Sequence, residues 1–346
     1  MPEHDTTTQL RALDLPVLTR YFAEHDVDVS GDLRAELISG GRSNLTFLIS
    51  DDKSRWVLRR PPVAGLTPSA HDVAREFRVT AALQDTDVPV ARTVVLCEDD
   101  SVMGAPFAVV EHVDGHILRR SVDLDPFSDT EVDGCVTELI RVLAALHAVD
   151  HRAVGLEKFG RESGYVGRQV KLWTSQWERV KFTEIPDVER LGSALAATIP
   201  DRDVTAIVHG DYRIDNTILS PTDITKVDAV LDWELSTLGD PLADAALMCI
   251  YRDPAFSLVL GEEAAWSCER IPSADELAQR YTLASGRDLE HWDFFCALAN
   301  FKLAVVAAGI YHRHLAGATE GDEFARAADA VPVLAAAGLT ALAGKS

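Results

Sequence analysis

His209, Asp211, Arg213, Asp215 and Asn216 crowd into "VHGDYRIDN", and apolar residues stand on either side of them. Asp232 follows in "LDWE" after a short run that reads as a hairpin. Asp211, Asn216 and Asp232 all offer oxygen, and all fall on loops or strand ends. Hard cations such as Mg²⁺ take oxygen ligands and need few from protein where phosphates supply the rest. A carboxylate that orients a hydroxyl, with an Asn and a second Asp to hold Mg²⁺, is the minimum set for phosphoryl transfer. Each residue alone is also an ordinary turn former; the joint spacing is what points to chemistry.

Such a loop needs rigid elements on both sides. "LTFLIS" (45–50) and "RWVLRR" (55–60) are short β-rich runs joined by turn formers, which predicts a hairpin. Ser69 with Asp72 reads as a capping box, and Ala70, Val73, Phe77 and Ala81 recur at helical spacing, with Glu76 off that stripe. "RTVVLCE" and "PFAVVEHVDG" read as two further strands. The texture then changes. Val132 to Leu146 marks a helix ending near His147, and "GYVGRQVKLWTSQWERV" a second one. "NTILS" and "KVDAVLDWE" surround a turn, and Asp240 with Pro241 opens another helix. A β-rich part over 1–114, beginning with a loose tail at 1–10, precedes a mostly helical part over 115–346.

Composition narrows the function. Hydrophobic residues make up 47% of 346, enough for a substantial core. A net charge of −22 argues against nucleic acid or an anionic membrane as the main partner. The five scattered cysteines contain no C-x-x-C pair and read as reduced thiols of a cytoplasmic protein. "MPEHDTTTQLRALDL" has no basic and apolar leader pattern. Apolar stretches such as "VPVLAAAGLTALAG" read as too short to cross a bilayer.

The pair "HGDYRIDN" and "LDWE…GDPLAD" is highly specific. With "GGRSNLTFLI", "WVLRRPP", "REF", "GYVGRQVKLWTSQW" and "FKLAVVAAGIYHR", it resembles the aminoglycoside phosphotransferase and choline kinase family. Within that family the segments are most similar to the kinase-like domain at the N-terminus of acyl-CoA dehydrogenase family fusion proteins. The resemblance implies an α+β, two-lobed, protein-kinase-like fold with a small β-rich N-lobe and a larger helical C-lobe. It also implies Mg²⁺-dependent transfer of the γ-phosphate of ATP, or GTP, to a small-molecule hydroxyl.

Site roles follow from the same resemblance. Asp211 would accept or orient the acceptor proton, with His209 bracing the loop and Arg213 in the catalytic set. Asn216 and Asp232 would hold Mg²⁺. Gly40, Gly41, Ser43 and Asn44 occupy the place of a phosphate loop, where glycine lets backbone N–H groups approach. Arg59 stands where kinases put a strand lysine, with Arg60 as the competing candidate; a guanidinium fork and a point charge are not equivalent. Glu76 would pair with that cation. Glu111 to Val113 fall at the hinge that meets the purine. Asp244 would buttress the loop and Asp240 cap its helix. Arg168, Trp173 and Trp177 are candidates for the acceptor pocket, and Glu234 for a water-mediated or structural place beside the metal.

The implied acceptor is a hydroxylated acyl chain, free or as a coenzyme A thioester. The alternatives are an aminoglycoside or other cationic small molecule, and a silent nucleotide-binding module. No flavin is expected, and oligomeric state is not legible. The terminal "GLTALAGKS" imitates a Walker A motif with one residue too many between Gly338 and Gly344. No G-x-S-x-G or G-x-G-x-x-G is present, and His312 with His314 is too small a set for zinc.

Overall fold

The computed structural model describes residues 13–39, 44–61, 72–317 and 322–344. The loose tail expected at 1–10, and Gly40, Gly41, Ser43 and Ser69, lie outside the described residues. The chain divides into two compact units, residues 1–114 with 228–234, and residues 115–227 with 235–346.

The first unit opens with α1 (Leu15–Glu24), capped by Asp14, whose carboxylate accepts from Val17 N at 3.0 Å. Strands β1 (Arg34–Ser39), β2 (Leu45–Ser50) and β3 (Arg55–Arg60) follow as an antiparallel meander. Helix α2 (Val73–Leu83) comes next, then β4 (Thr93–Cys97), the short α3 (Asp100–Met103) and β5 (Phe107–Glu111). The sheet order is β1-β2-β3-β5-β4. Alternation in β2 and β3 turns Phe47, Ile49, Trp56 and Leu58 inward, where Leu18 and Phe22 of α1 and Phe107 of β5 complete the core. The N-cap of α2 is Asp72, which accepts from Arg75 N at 2.9 Å. Glu76, off the apolar stripe by sequence, is nonetheless buried.

The second unit contains α4 (Asp129–Ala148), α5 (Tyr165–Val180) and α6 (Pro186–Ala197). Short strands β6 (Ala206–Val208), β7 (Thr217–Ser220), β8 (Asp223–Val230) and β9 (Thr237–Gly239) follow. β6 pairs antiparallel with β9, and β7 with β8. Then come α7 (Pro241–Ile250), α8 (Ala255–Leu260), α9 (Ala274–Ser285), α10 (Trp292–Leu315) and α11 (Ala327–Leu342).

Two expectations need correction. The end of β8 and the residues after it, 228–234, belong to the first unit rather than the second. Val230 N donates to Pro89 O at 2.9 Å, and Asp232 comes within 3.8 Å of Arg59. Apolar stretches are also longer than expected. α10 runs 24 residues with a mean hydropathy of 1.7 in its most apolar window, and Phe324–Leu342 reaches 1.3. Both are long enough to cross a bilayer by length and composition. The apolar surface of α10 is spent within the protein, however. That window is 72% buried against its neighbours, which include α5, α6, α7 and α11.

Candidate active site

The loop between β6 and β7 carries the densest chemistry, and its backbone is fixed from beneath by one buried carboxylate. Asp244, in the first turn of α7, accepts His209 N at 2.5 Å and Gly210 N at 2.7 Å. His147 of α4 lies 3.4 Å from Asp244 Oδ2 and shares its other ring nitrogen with Tyr281 at 2.7 Å. Burial alone would raise the Asp244 carboxyl; its hydrogen bonds and the two histidines outweigh that and hold it below the usual range. Asp240 caps α7 through Leu242 N at 3.0 Å and pairs with Arg202 at 2.8 Å. Gly210 has φ +86°, and a Cβ there would stand 2.8 Å from Leu235 O, so only glycine fits.

Asp211 follows that glycine. Burial pushes its carboxyl upward, but Arg213, a hydrogen bond from the Tyr251 hydroxyl, Lys302 and His209 bring it below the ordinary value. Tyr251 donates to Oδ1. Asn216, in a short helical turn at Ile214–Asn216, donates through Nδ2 to Asp211 O at 2.8 Å and to Oδ2 at 3.1 Å. Arg213 Nε lies 3.3 Å from Asp211 Oδ1 and Nη1 2.6 Å from Asp215, neither at a hydrogen-bonding angle. Its guanidinium stacks over Tyr251 and Phe256 at 5.6 and 5.4 Å from the ring centroids. His209 is fully buried and accepts Asp211 N at its Nδ1, 3.2 Å away, an arrangement suited to bracing the loop.

In the first unit, β3 and α2 bring a second set together. Arg59 Nη1 donates to Glu76 Oε2 at 2.5 Å, and Nη2 lies 3.8 Å from Asp232 Oδ1. Arg60, one residue on and therefore on the opposite face of β3, is buried and donates to Met103 O at 3.0 Å. Glu76 also accepts Asn44 Nδ2 at 3.1 Å. Its pKa is pushed up to about 7, first by burial and then by Asp232 and Glu234, with Arg59 and Asn44 opposing. Asp232 sits at φ +60°, a left-handed conformation uncommon for a residue with a Cβ. Glu234 is half-buried two residues on. At the end of β5, Glu111 gives its amide to Arg92 O at 2.8 Å, and Val113 lies just beyond the strand.

A cavity in the second unit is lined by Tyr165, Trp173, Gly210, Asp244, Phe295 and Lys302, among others. Of the three residues proposed for an acceptor pocket, Trp173 lines this cavity. Trp177 is packed in the core at 2% exposure, and Arg168 is tied to Arg161 O at 2.8 Å and to Ser163 O, bracing the start of α5. Tyr251 and Lys302 escaped the sequence reading. They lie 40 and 92 residues from the residues they hold, and no local pattern marks them.

Within the second unit, Asp211 can orient a hydroxyl and Asn216 can present a hard oxygen ligand; within the first unit, Asp232 offers a carboxylate oxygen of the same kind. Comparison with known proteins supplies the family. The phosphotransferase enzyme family profile matches residues 34–282. Mouse acyl-CoA dehydrogenase family member 11 is 36% identical over 94% of this chain, which spans only 43% of that relative's length. A Ralstonia eutropha JMP134 crystal structure, provisionally described as an aminoglycoside phosphotransferase, is 33% identical with a TM-score of 0.83, covering 96% of this chain and 98% of its own. A thermostable mutant of aminoglycoside phosphotransferase APH(4)-Ia, in ternary complex with ADP and hygromycin B, shares the fold at a TM-score of 0.61 and 16% identity, covering 92% of this chain and 98% of its own. A kinase-like α+β fold, a profile match over most of the chain and relatives at 36% and 33% identity lead to one assignment: the chain belongs to the phosphotransferase enzyme family.

Proposed function

We propose that the protein transfers the γ-phosphate of ATP, or GTP, to a hydroxyl group of a small molecule. The observation that carries this reading is the setting of Asp211. Its carboxylate is half-buried yet held ionised, with both oxygens fixed by Tyr251 and Asn216. A carboxylate so placed can take the hydrogen bond of an acceptor hydroxyl and align it for in-line attack. Lys302 and His209 fix the backbone that carries it.

The residues fit Mg²⁺ by their donor chemistry. Both hydrogen bonds of the Asn216 side chain use Nδ2, which leaves its carbonyl oxygen for a hard cation, and Asp232 keeps a partly exposed carboxylate. When bound, Mg²⁺ would neutralise charge on the transferring phosphoryl group. Arg59 suits a phosphate, since its Nε is buried without a hydrogen-bond partner among the described residues. Nucleotide use is supported by the ADP complex of the structurally similar APH(4)-Ia.

For the acceptor we favour a hydroxylated acyl chain, free or as a coenzyme A thioester. Similarity to acyl-CoA dehydrogenase family member 11 and the apolar lining by Trp173, Phe295 and Leu298 support it. An aminoglycoside acceptor is the second reading, supported by the description of the Ralstonia neighbour and by the net charge of −22. Five free cysteines suit work in the reducing cytosol.

The test is transfer of labelled γ-phosphate from ATP and GTP, with Mg²⁺, to a panel of hydroxyacyl-coenzyme A esters, hydroxy acids, aminoglycosides, choline and homoserine. Asp211→Asn serves as the control. A labelled product that vanishes in the variant establishes the reaction and its acceptor class. Nucleotide binding with no turnover on any acceptor, or on water, marks a silent module instead.

A further inference from the structure

The middle of α10 is apolar except for Asn300 and Lys302. Burial draws the Lys302 pKa down, so keeping an ammonium there carries a cost that a leucine or methionine would not. The structure shows what the charge meets. Lys302 Nζ donates to Gly210 O at 2.5 Å and lies 5.5 Å from the centroid of the Trp173 ring. That carbonyl belongs to the Gly210–Asp211 peptide group. The N–H of the same peptide group donates to His209 Nδ1 at 3.2 Å. The plane that launches Asp211 is therefore gripped at both edges, by a cation on the oxygen and an imidazole on the nitrogen. The peptide before it is held by Asp244. Gly210 itself sits at φ +86°, a left-handed conformation that suits glycine.

We propose that Lys302 is a positioning residue for Asp211, fixing the Gly210–Asp211 peptide plane and thereby aiming the carboxylate. The proposal rests on the reading of Asp211 as the hydroxyl-orienting carboxylate. The face of the Trp173 ring lies within cation–π range of the same ammonium. The cavity that Lys302 lines beside Gly210 gives a small alkylammonium ion a place to enter once the side chain is shortened.

The experiment uses the full chain and slow hydrolysis of ATP with Mg²⁺, water serving as the acceptor so that no organic acceptor need be known. Lys302→Met is expected to lower kcat on the order of 10²-fold, the scale of a misplaced catalytic group, with KM for ATP unchanged. Lys302→Arg, which keeps a cationic donor, is expected to retain most of the turnover. Lys302→Ala is expected to regain turnover saturably with added ethylammonium and not with ethanol. A merely structural lysine would give losses that follow the melting temperature, with no amine rescue. If Lys302→Met does not fold, the Arg variant and the amine titration decide. Wild-type turnover with fully active variants, or a loss confined to KM, overturns the role of Lys302 alone. A wild type that turns over neither water nor any acceptor overturns the reading of Asp211 and this proposal together.

Discussion

Asn216 holds Asp211 at two points through one amide, donating from Nδ2 to its backbone oxygen at 2.8 Å and to Oδ2 at 3.1 Å. The backbone bond closes the loop on itself, and the side-chain bond sets the rotation of the carboxylate. Asn216→Asp would replace both donors with acceptors and set two carboxylates against each other. Phosphate transfer is expected to fall on the order of 10²-fold or more. Single-turnover kinetics check it, and an unchanged rate would show that neither contact guides the chemistry.

Tyr251 supplies the other fixed point, at Oδ1. Tyr251→Phe keeps the ring that carries Arg213 and packs on Phe256, and deletes only the hydroxyl. Hydrogen bonds to charged groups are worth about 1.5–3 kcal/mol, so kcat should drop by at least about tenfold. KM for the nucleotide should stay constant, and steady-state kinetics separate the two.

Glu76 makes the Arg59 pair pH-dependent. Its folded pKa of about 7 lies above its ordinary 4.5, so the folded chain holds this proton more tightly than the unfolded one. The stability this gives is complete below pH 4.5 and is lost as pH rises through 7. Measured against Glu76→Gln, wild-type stability should decline over that window by about 3 kcal/mol and then level off. Activity should move the opposite way, rising towards neutral pH as the Arg59–Glu76 ion pair forms. Denaturant titrations across pH, with the Gln variant expected to be flat, test the first part. The acid limb of the rate profile tests the second.

Asp244 is a structural acceptor whose loss is felt at the loop. Asp244→Ala strands the buried amides of His209 and Gly210, each worth about 1–3 kcal/mol when left unpaired. A fall of about 2–5 kcal/mol in unfolding free energy is expected, read from the denaturant midpoint. Hydrogen exchange should quicken at residues 209 and 210 before it does so in α10.

Much of this was legible in the chain. The alternation of β2 and β3, the Asp240–Pro241 helix start and the cluster from His209 to Asn216 are local signals with local causes. Asp72 was recognised as part of the α2 start, and the structure gives it the cap itself. Choosing Arg59 over Arg60 required strand register, since neighbouring residues point to opposite faces of β3. Glu76 lies off the apolar stripe of α2, so its expected pairing with the strand cation came from the family resemblance and not from periodicity; it is buried with Arg59 and Asn44 reaching it from other elements. Tyr251, Lys302 and His147 act across long sequence separations, where spacing carries no information. The apolar stretches were read as too short because polar residues interrupt them, as Asn300 and Lys302 do in α10, while the helix continues through both.

The return of residues 228–234 to the first unit bears on how this protein could be recombined with its relatives. A chimera made with a single crossover after residue 114 would join one parent's Arg59 and Glu76 to the other parent's Asp232. Inheritance of the Arg59–Glu76–Asp232 ionic set as a block needs three junctions, with the seven-residue segment travelling alongside the N-terminal portion. Sequence exchange among such enzymes should therefore leave Asp232 and Arg59 from the same ancestor more often than their distance along the chain would suggest.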